Sequence, residues 1–148
     1  MTNRIEKIID LNAPVDRVWR ALTDHHEFGQ WFGVKLEAPF RAGQPTRGHI
    51  TNKGYEHLMM EIAIQAIEPK SLFSYTWHPY AVDPKVDYSA ETPTLVEFHL
   101  SPTTDGTHLV VIETGFDALP AHRKADALRM NDRGWAAQMQ NIQAHVGG

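Results

Sequence analysis

The segment from Ala121 to Val146 constrains the fold of this 148-residue chain more than any other. From Trp135 onward its apolar residues recur at steps of four, three and four, which is the period of one buried helical face. Pro120 suits the start of a helix because it needs no hydrogen-bonded N–H, and Gly147-Gly148 ends it. A helix this long has to bury its apolar face, and the upstream chain is mostly strand-like. The sequence therefore predicts an α+β domain in which one long C-terminal helix packs on a sheet.

The chain before this helix divides into one strand, two short helices and a run of further strands. Residues 5–11 place apolar and acidic side chains on opposite faces, which is typical of a half-buried strand. Pro14 suits the first position of a helix, and Asp24 with Glu27 forms a capping-box pattern for a second helix, which Gly33 ends. Six further antiparallel strands are predicted at residues 34–40, 46–51, 57–67, 72–77, 94–100 and 108–114.

Residues 78–93 interrupt this run of strands and have no clean periodicity. They contain prolines at 79, 84 and 93, and an irregular segment of this length is usually a functional flap or disordered. The segment leaves directly from Trp77, whose strand carries Phe73 and Tyr75 on the same face. We therefore expect it to cover or border the mouth of a cavity on that side of the sheet.

Composition and charge narrow the class of protein. With 14 basic and 18 acidic residues the net charge is −4, which gives no electrostatic footprint for nucleic acid. The absence of cysteine excludes disulfides, thiolate nucleophiles and cysteine-ligated zinc. No apolar stretch approaches the ~20 residues of a membrane span, and residues 1–4 lead into a strand pattern rather than a signal peptide. We expect one cytoplasmic domain over residues 1–148, with no membrane span.

The sequence has no motif typical of a metal site or of catalysis. Its nine histidines are scattered, without an HExxH or comparable helical spacing. No serine lies in a nucleophile-elbow context, and no glycine-rich loop could cradle a phosphate. We therefore predict no metal, no cofactor and no catalytic residue. His78, at the end of a strand rich in aromatic residues, is the only histidine that we single out.

A set of short motifs extends over nearly the whole chain. They are Ala13-Pro14, Val18-Trp19, Ala21-Leu22-Thr23-Asp24, Trp31-Phe32-Gly33, Glu68-Pro69, Tyr75-Thr76-Trp77, Gly106-Thr107, Glu113-Thr114-Gly115-Phe116 and Gly134-Trp135. In this order they resemble the helix-grip superfamily of START domains and plant pollen allergens (SRPBCC), and within it the family of the activator of the 90-kDa heat-shock protein ATPase. The resemblance implies a curved antiparallel sheet of six to seven strands that grips the C-terminal helix, with two short helices after the first strand. It also implies a cavity between sheet and helix, and an inward-facing residue at Glu113.

Eight residues are candidates for lining that cavity. Large aromatic side chains dominate the core of any domain, but apolar walls with a few polar groups are also typical of ligand pockets. From the residues alone a plain core is the better interpretation, whereas the resemblance favours a ligand cavity. The candidate ligand-binding residues are Trp31, Phe40, Tyr75, Trp77, Glu113, Asn131, Trp135 and Met139.

Glu113 is the most informative polar residue among them. It shares a parity with Leu109 and Val111, so it points into the protein if they do. An inward carboxyl group has to be paired, protonated or solvated, and Arg129 and Arg133 of the C-terminal helix are candidate partners. The opposite parity would place Glu113 in solvent.

Three functions are compatible with this fold. The leading hypothesis is binding of a small apolar or amphipathic molecule, and Asn131, one turn before Trp135, fits a helix that faces a wet or liganded space. One alternative is an enzyme of the cyclase or hydrolase type, in which Glu113 or His78 handles a proton. The other is a co-chaperone-like module that stimulates a chaperone ATPase in a stress response, as the family resemblance implies.

The shape of the apolar surface separates these hypotheses. A closed void lined by Trp135 and Tyr75 would favour a ligand, whereas a large exposed apolar patch would favour a partner protein. If Glu113 faces inward, Val110 and Ile112 lie on the outer face of the sheet and need cover. Because a second copy of the chain could cover them, we predict a homodimer that forms through this outer face.

Overall fold

The computed structural model describes residues 3–83 and 85–147. The first strand, β1 (Ile5–Leu11), is followed by helices α1 (Val15–Thr23) and α2 (His25–Phe32). The remaining elements are β2 (Val34–Leu36), β3 (Pro45–Ile50), β4 (Met59–Glu68), β5 (Leu72–Trp77), β6 (Thr94–Pro102), β7 (Thr107–Thr114), a 3₁₀ turn (Phe116–Ala118) and α3 (Ala121–Val146). The predicted order of elements is confirmed. Four residues used in the sequence argument lie outside the described residues: Met1, Thr2, Pro84 and Gly148.

The seven strands form one curved antiparallel sheet in the order β1-β7-β6-β5-β4-β3-β2. Strands β2 to β7 lie beside their neighbours in sequence. Strand β1 completes the sheet by pairing with β7, from Ile5 opposite Glu113 to Leu11 opposite Thr107. With α3 packed on this sheet and two short helices after β1, the predicted helix-grip fold is confirmed.

Most strand boundaries lie within one or two residues of the sequence prediction, and the end of β2 differs most. Strand β2 ends at Leu36 rather than at residue 40, because Pro39 has no backbone N–H with which to extend the ladder. Strand β4 begins at Met59 rather than at residue 57. Residues 52–58 form successive turns instead, closed by backbone hydrogen bonds between residues three apart.

Helix α3 has 26 residues and is about 39 Å long at 1.5 Å per residue. Pro120 is its N-cap, and Gly147 ends it in the left-handed conformation at φ 93°. As predicted, Trp135, Met139 and Ile142 are buried in the core, which fixes the rotation of the helix about its own axis. Neither α3 nor another helix in the described part of the chain is long and apolar enough to cross a membrane.

Glu27 joins the two short helices to the end of α3. Helix α2 is capped by Asp24 alone, whose carboxylate accepts from the His26 N–H at 3.1 Å, and the predicted capping box with Glu27 does not form. The Glu27 carboxylate instead lies 2.6 Å from the Arg17 guanidinium and 2.9 Å from His145 Nε2. Burial raises the pKa of Glu27, but hydrogen bonds from His145 and Arg17 outweigh burial and hold the pKa below its usual value.

Candidate functional site

Glu113 lies on the inner face of β7, completely buried between the sheet and α3. Leu109 and Val111, which share its parity, are also fully buried. The inward parity is therefore confirmed, and the alternative that places Glu113 in solvent is wrong. Because an isolated buried carboxyl group is costly, its partners decide what it does.

Four side chains donate hydrogen bonds to the Glu113 carboxyl group. Oε2 accepts from Trp77 Nε1 at 2.8 Å and from Thr94 Oγ1 at 2.5 Å. Oε1 accepts from Trp135 Nε1 at 2.8 Å and from Asn131 Nδ2 at 3.0 Å. An indole N–H can only donate, and a carboxylate can only accept, so the two types of group match. Glu113 thereby links β5, β6 and α3.

Strand register and helix spacing bring these four donors together. Trp77 pairs with Thr94 across β5 and β6, and Glu113 pairs with Val96, which lies two residues beyond Thr94 on the same face. On α3, Asn131 and the indole four residues later lie on one face, one turn apart. The site is therefore built from segments that are distant in sequence and adjacent in the fold.

The expected arginine partners of Glu113 do not bind it. Arg129 is exposed and pairs with Asp126 at 2.8 Å, and Arg133 is also exposed. Asn131 and Trp135 occupy the face of α3 that meets Glu113, so neither arginine reaches its carboxyl group. The expected bond between Glu113 and the long helix does form, but its donors are the neutral side chains of Asn131 and Trp135 rather than Arg129 or Arg133.

Deeper aromatic side chains pack directly against one another. The Tyr75 ring lies 6.0 Å from that of Phe73, and Phe73 lies 5.2 Å from Phe40, measured between ring centroids. The Trp31 indole N–H donates to the Ala21 carbonyl at 2.8 Å. These residues form packed core at the place where a closed void was expected.

Tyr75 contributes a hydroxyl group to this aromatic core. Its ring is fully buried, and its hydroxyl has no hydrogen-bond partner in the described part of the chain. Burial, and secondly the nearby Glu113 carboxylate, raise the pKa of Tyr75 well above its usual value. The phenol is therefore neutral at physiological pH.

An open groove of about 630 Å³ lies beside this core. Its walls come from the end of α2, the β3–β4 connection, the segment after β5, and α3. It is lined by Phe32, Ile50, Asn52, Tyr55, Leu58, Met59, Met60, Glu61, Trp77, His78, Tyr80, Ala81, Val82, Tyr88, Met130, Asn131, Gly134, Trp135 and Gln138. Of the seven large apolar side chains that are exposed in the described residues, five lie here: Tyr55, Met59, Tyr80, Val82 and Met130.

Three of the eight candidate residues line this groove. They are Trp77, Asn131 and Trp135, and each of them donates to Glu113. The other five lie behind the lining: Trp31, Phe40, Tyr75, Glu113 and Met139. From its buried position behind the groove, Glu113 therefore fixes three of the lining side chains by hydrogen bonds.

Gly134 is a groove residue that sequence reasoning missed. It lies within α3, where glycine costs about 0.5–1 kcal/mol relative to alanine. A Cβ at this position would have no heavy atom within 4 Å, so packing within the chain does not require glycine. Its effect is to widen the groove between Asn131 and Gln138. A glycine inside a strongly periodic helix was the available signal.

Arg123 anchors the segment that forms one wall of the groove. Its guanidinium donates to the Glu91 carboxylate at 2.7 and 2.9 Å, and to the carbonyls of Pro79 and Tyr80 at 2.9 Å each. It also lies over the Tyr88 ring, 4.5 Å from the centroid. The segment therefore forms one wall of the groove, and a single side chain of α3 holds it there.

His78 lies where this segment leaves β5 and contributes to the groove lining. Its Nδ1 is buried without a hydrogen-bond partner among the described residues. One ring nitrogen of this groove residue therefore has its hydrogen-bonding capacity unused within the described protein.

The fold and this site define a helix-grip protein with an open groove between its sheet and its long helix. The sequence profile of the family described as Activator of Hsp90 ATPase homolog 1-like protein matches residues 12–147, and the chain belongs to this family. No curated protein matches the chain.

Solved structures of similar proteins share this fold. Protein MLL2253 from Mesorhizobium loti is 26% identical with a TM-score of 0.74, over 96% of this chain and 95% of that one. DynU16, from the dynemicin biosynthetic locus, is 24% identical with a TM-score of 0.73, over 98% of this chain and 47% of that one. The Aha1 dimer from Colwellia psychrerythraea is 13% identical with a TM-score of 0.73, over 99% of this chain and 96% of that one.

Proposed function

We propose that this protein binds a small amphipathic molecule in the open groove. A volume of about 630 Å³ lies within the range of roughly 300–1,000 Å³ that is typical of small-molecule sites. The expected closed void does not form, and the observation that carries the proposal is instead that five exposed apolar side chains line one concave groove rather than a flat patch, with two indoles at its base. A monomeric protein rarely exposes such a surface without a use for it.

The hydrogen bonds to Glu113 support the proposal because they preorganise the groove. Trp77, Asn131 and Trp135 each have one donor fixed by the carboxyl group. A binding surface whose side chains are already ordered loses less conformational entropy when a ligand arrives. Glu113 acts in this account as a positioning residue.

Gly134 offers a direct test of ligand binding. The neutral dye N-phenyl-1-naphthylamine should bind with a stoichiometry of about one and quench tryptophan emission. Gly134→Leu projects a side chain into the groove from a position with no neighbours, so it should weaken dye binding at least about tenfold. The matched control is Ala136→Leu, which adds similar bulk at an exposed position of α3 outside the groove lining.

Two results would refute the proposal. One is a dye affinity that Gly134→Leu and Ala136→Leu leave equally unchanged, because the dye would then bind elsewhere. The other is absence of stoichiometric binding to the native protein.

A co-chaperone-like interaction is a second candidate, because exposed Tyr55, Met59 and Met130 give the groove an apolar rim. The family description names an activator of an Hsp90 ATPase, and a partner protein would use the same surface. In that case the protein should stimulate the ATPase of a 90-kDa heat-shock protein, and Gly134→Leu should abolish the stimulation. Dye binding without stimulation would favour the small-molecule proposal.

Self-association through the outer face of the sheet is a further part of the proposal. Ile8 is 57% exposed and lies opposite Val110 in the pairing of β1 with β7. Ile112 lies two residues beyond Val110 on the same face of β7. Light scattering at high micromolar concentration should give a dimer mass, and Ile8→Lys should reduce it to the monomer mass. A monomer mass for the native chain would refute this part.

A further inference from the structure

The groove lining is rich in phenylalanine, tyrosine and tryptophan, and among the described residues His78 is its only basic side chain. Six of its residues are aromatic: Phe32, Tyr55, Trp77, Tyr80, Tyr88 and Trp135. Among the described residues that line it, none is lysine or arginine, and Glu61 contributes a carboxylate. Faces of aromatic rings carry partial negative charge and attract cations, so this lining suits a positive group better than a negative one.

Glu113 adds negative charge behind the base of the groove. Its four hydrogen-bond partners are all neutral side chains, so no cation of the described protein compensates it directly. Two of them are the indole N–H groups of Trp77 and Trp135, and a ring that donates to a carboxylate becomes richer in electrons on its faces. In a site of low dielectric this charge acts over several ångströms.

Arg123 contacts the wall of the groove formed by residues 78–93, and its charge is compensated. The pair with Glu91 is bidentate, and Arg123 is not part of the groove lining. Its position 4.5 Å from the Tyr88 centroid places a cation against a ring of the groove wall. The same kind of contact is therefore available on the groove side to a ligand.

We propose that the ligand of this groove is an amphipathic organic cation, with an ammonium head group against the aromatic lining and an apolar tail along the methionines. The inference rests on the proposed function, because it assigns a charge to the ligand of the same groove. Aromatic surfaces with a nearby carboxylate are the usual means of recognising quaternary ammonium groups. The net charge of −4 also attracts a cationic ligand weakly.

Three probes with eight-carbon chains test the proposal: octyltrimethylammonium, 1-octanol and octanoate, whose eighth carbon is the carboxyl carbon, each monomeric at sub-millimolar concentration. Isothermal titration calorimetry of the full chain should give an affinity for octyltrimethylammonium about fivefold to thirtyfold higher than for 1-octanol. Octanoate should bind more weakly than both. Gly134→Leu should remove this preference, and Ala136→Leu should retain it.

Tyr55 provides a variant pair that does not disturb the core, since its side chain is 58% exposed at the groove rim. Tyr55→Phe keeps the ring and should keep the cation preference, whereas Tyr55→Leu should reduce the ratio of octyltrimethylammonium affinity to 1-octanol affinity about twofold to fivefold.

The outcomes separate the two proposals. Equal affinities for the three probes, or a preference for octanoate, would overturn the cation proposal and leave the groove as a ligand site. If Gly134→Leu still prefers octyltrimethylammonium, the preference arises from the net charge of the protein rather than from the groove, and the cation proposal is overturned. Absence of groove binding by all three probes would remove the proposed function and this inference together.

Discussion

Replacing Glu113 with glutamine tests the carboxyl group that links the sheet to α3. Glutamine has the same shape but presents one oxygen and one NH₂ group in place of two oxygens. If the NH₂ group faces Trp135, the indole N–H of Trp135 meets another donor. If the NH₂ group faces Trp77, the indole N–H of Trp77 meets another donor. Thr94 can rotate its hydroxyl to accept, but an indole cannot accept. Either orientation therefore leaves one indole N–H unpaired.

The magnitude follows from this unpaired donor. A buried donor without a partner costs about 1–3 kcal/mol, and bonds to a neutral amide are weaker than bonds to a charged group. Relief of the desolvation of the charge offsets part of this loss. We expect Glu113→Gln to lower the free energy of unfolding by about 2–4 kcal/mol.

Urea unfolding followed by far-UV circular dichroism measures this change without relying on tryptophan emission. Glu97→Gln is the matched control, because Glu97 lies on β6 with its side chain 28% exposed and 3.8 Å from His99. The control should change the free energy of unfolding by less than about 0.5 kcal/mol.

Thr94→Val should cost about 1 kcal/mol in the native chain and much less in the Glu113→Gln background, because the two groups share a bond. Equal stability of Glu113→Gln and the native chain would refute the reasoning.

Three other substitutions extend these tests. Gly134→Ala should raise the free energy of unfolding by about 0.5–1 kcal/mol, measured in urea, and a loss would mean that α3 needs glycine for its own packing. Arg123→Lys cannot reproduce the bidentate pair and should cost about 1–3 kcal/mol and speed proteolysis within residues 78–93, whereas exposed Arg129→Lys should change neither. The folded-state pKa of Glu27 lies below the unfolded-state value of about 4.3, so its stabilisation is present above that value and is lost as pH falls through the folded-state pKa. Glu27→Gln should therefore be less stable at neutral pH and converge with the native chain in acid, and parallel pH profiles would contradict this.

The sequence predicted the fold where the signals are local. The bounds of α3 follow from an apolar period between Pro120 and Gly147, and the structure has the same bounds. The inward direction of Glu113 follows from strand alternation, which is also local. Its partners could not be predicted in the same way, because they depend on the register of β5, β6 and β7 and on the rotation of α3.

The groove was harder to predict than the core. Tyr55 and Met59 lie at or beside turns, where no periodicity reports which side chains share a surface. Trp31 and Phe40 looked like cavity lining because a large aromatic side chain suits a core and a pocket equally well. Gly134 had an identifiable signal, since a glycine inside a periodic helix has a cost that something else must justify.

The indole resonances of the four tryptophans test the central claim most directly. Trp77 and Trp135 lie at the groove, while Trp31 donates to a core carbonyl and Trp19 lies on α1. In a ¹H–¹⁵N spectrum titrated with the eight-carbon probe that binds most tightly, the Trp77 and Trp135 indole signals should shift together to one saturation point. The signals of Trp19 and Trp31 should stay in place. Shifts of all four signals, or of Trp19 and Trp31 alone, would contradict the assignment of the groove as the ligand site.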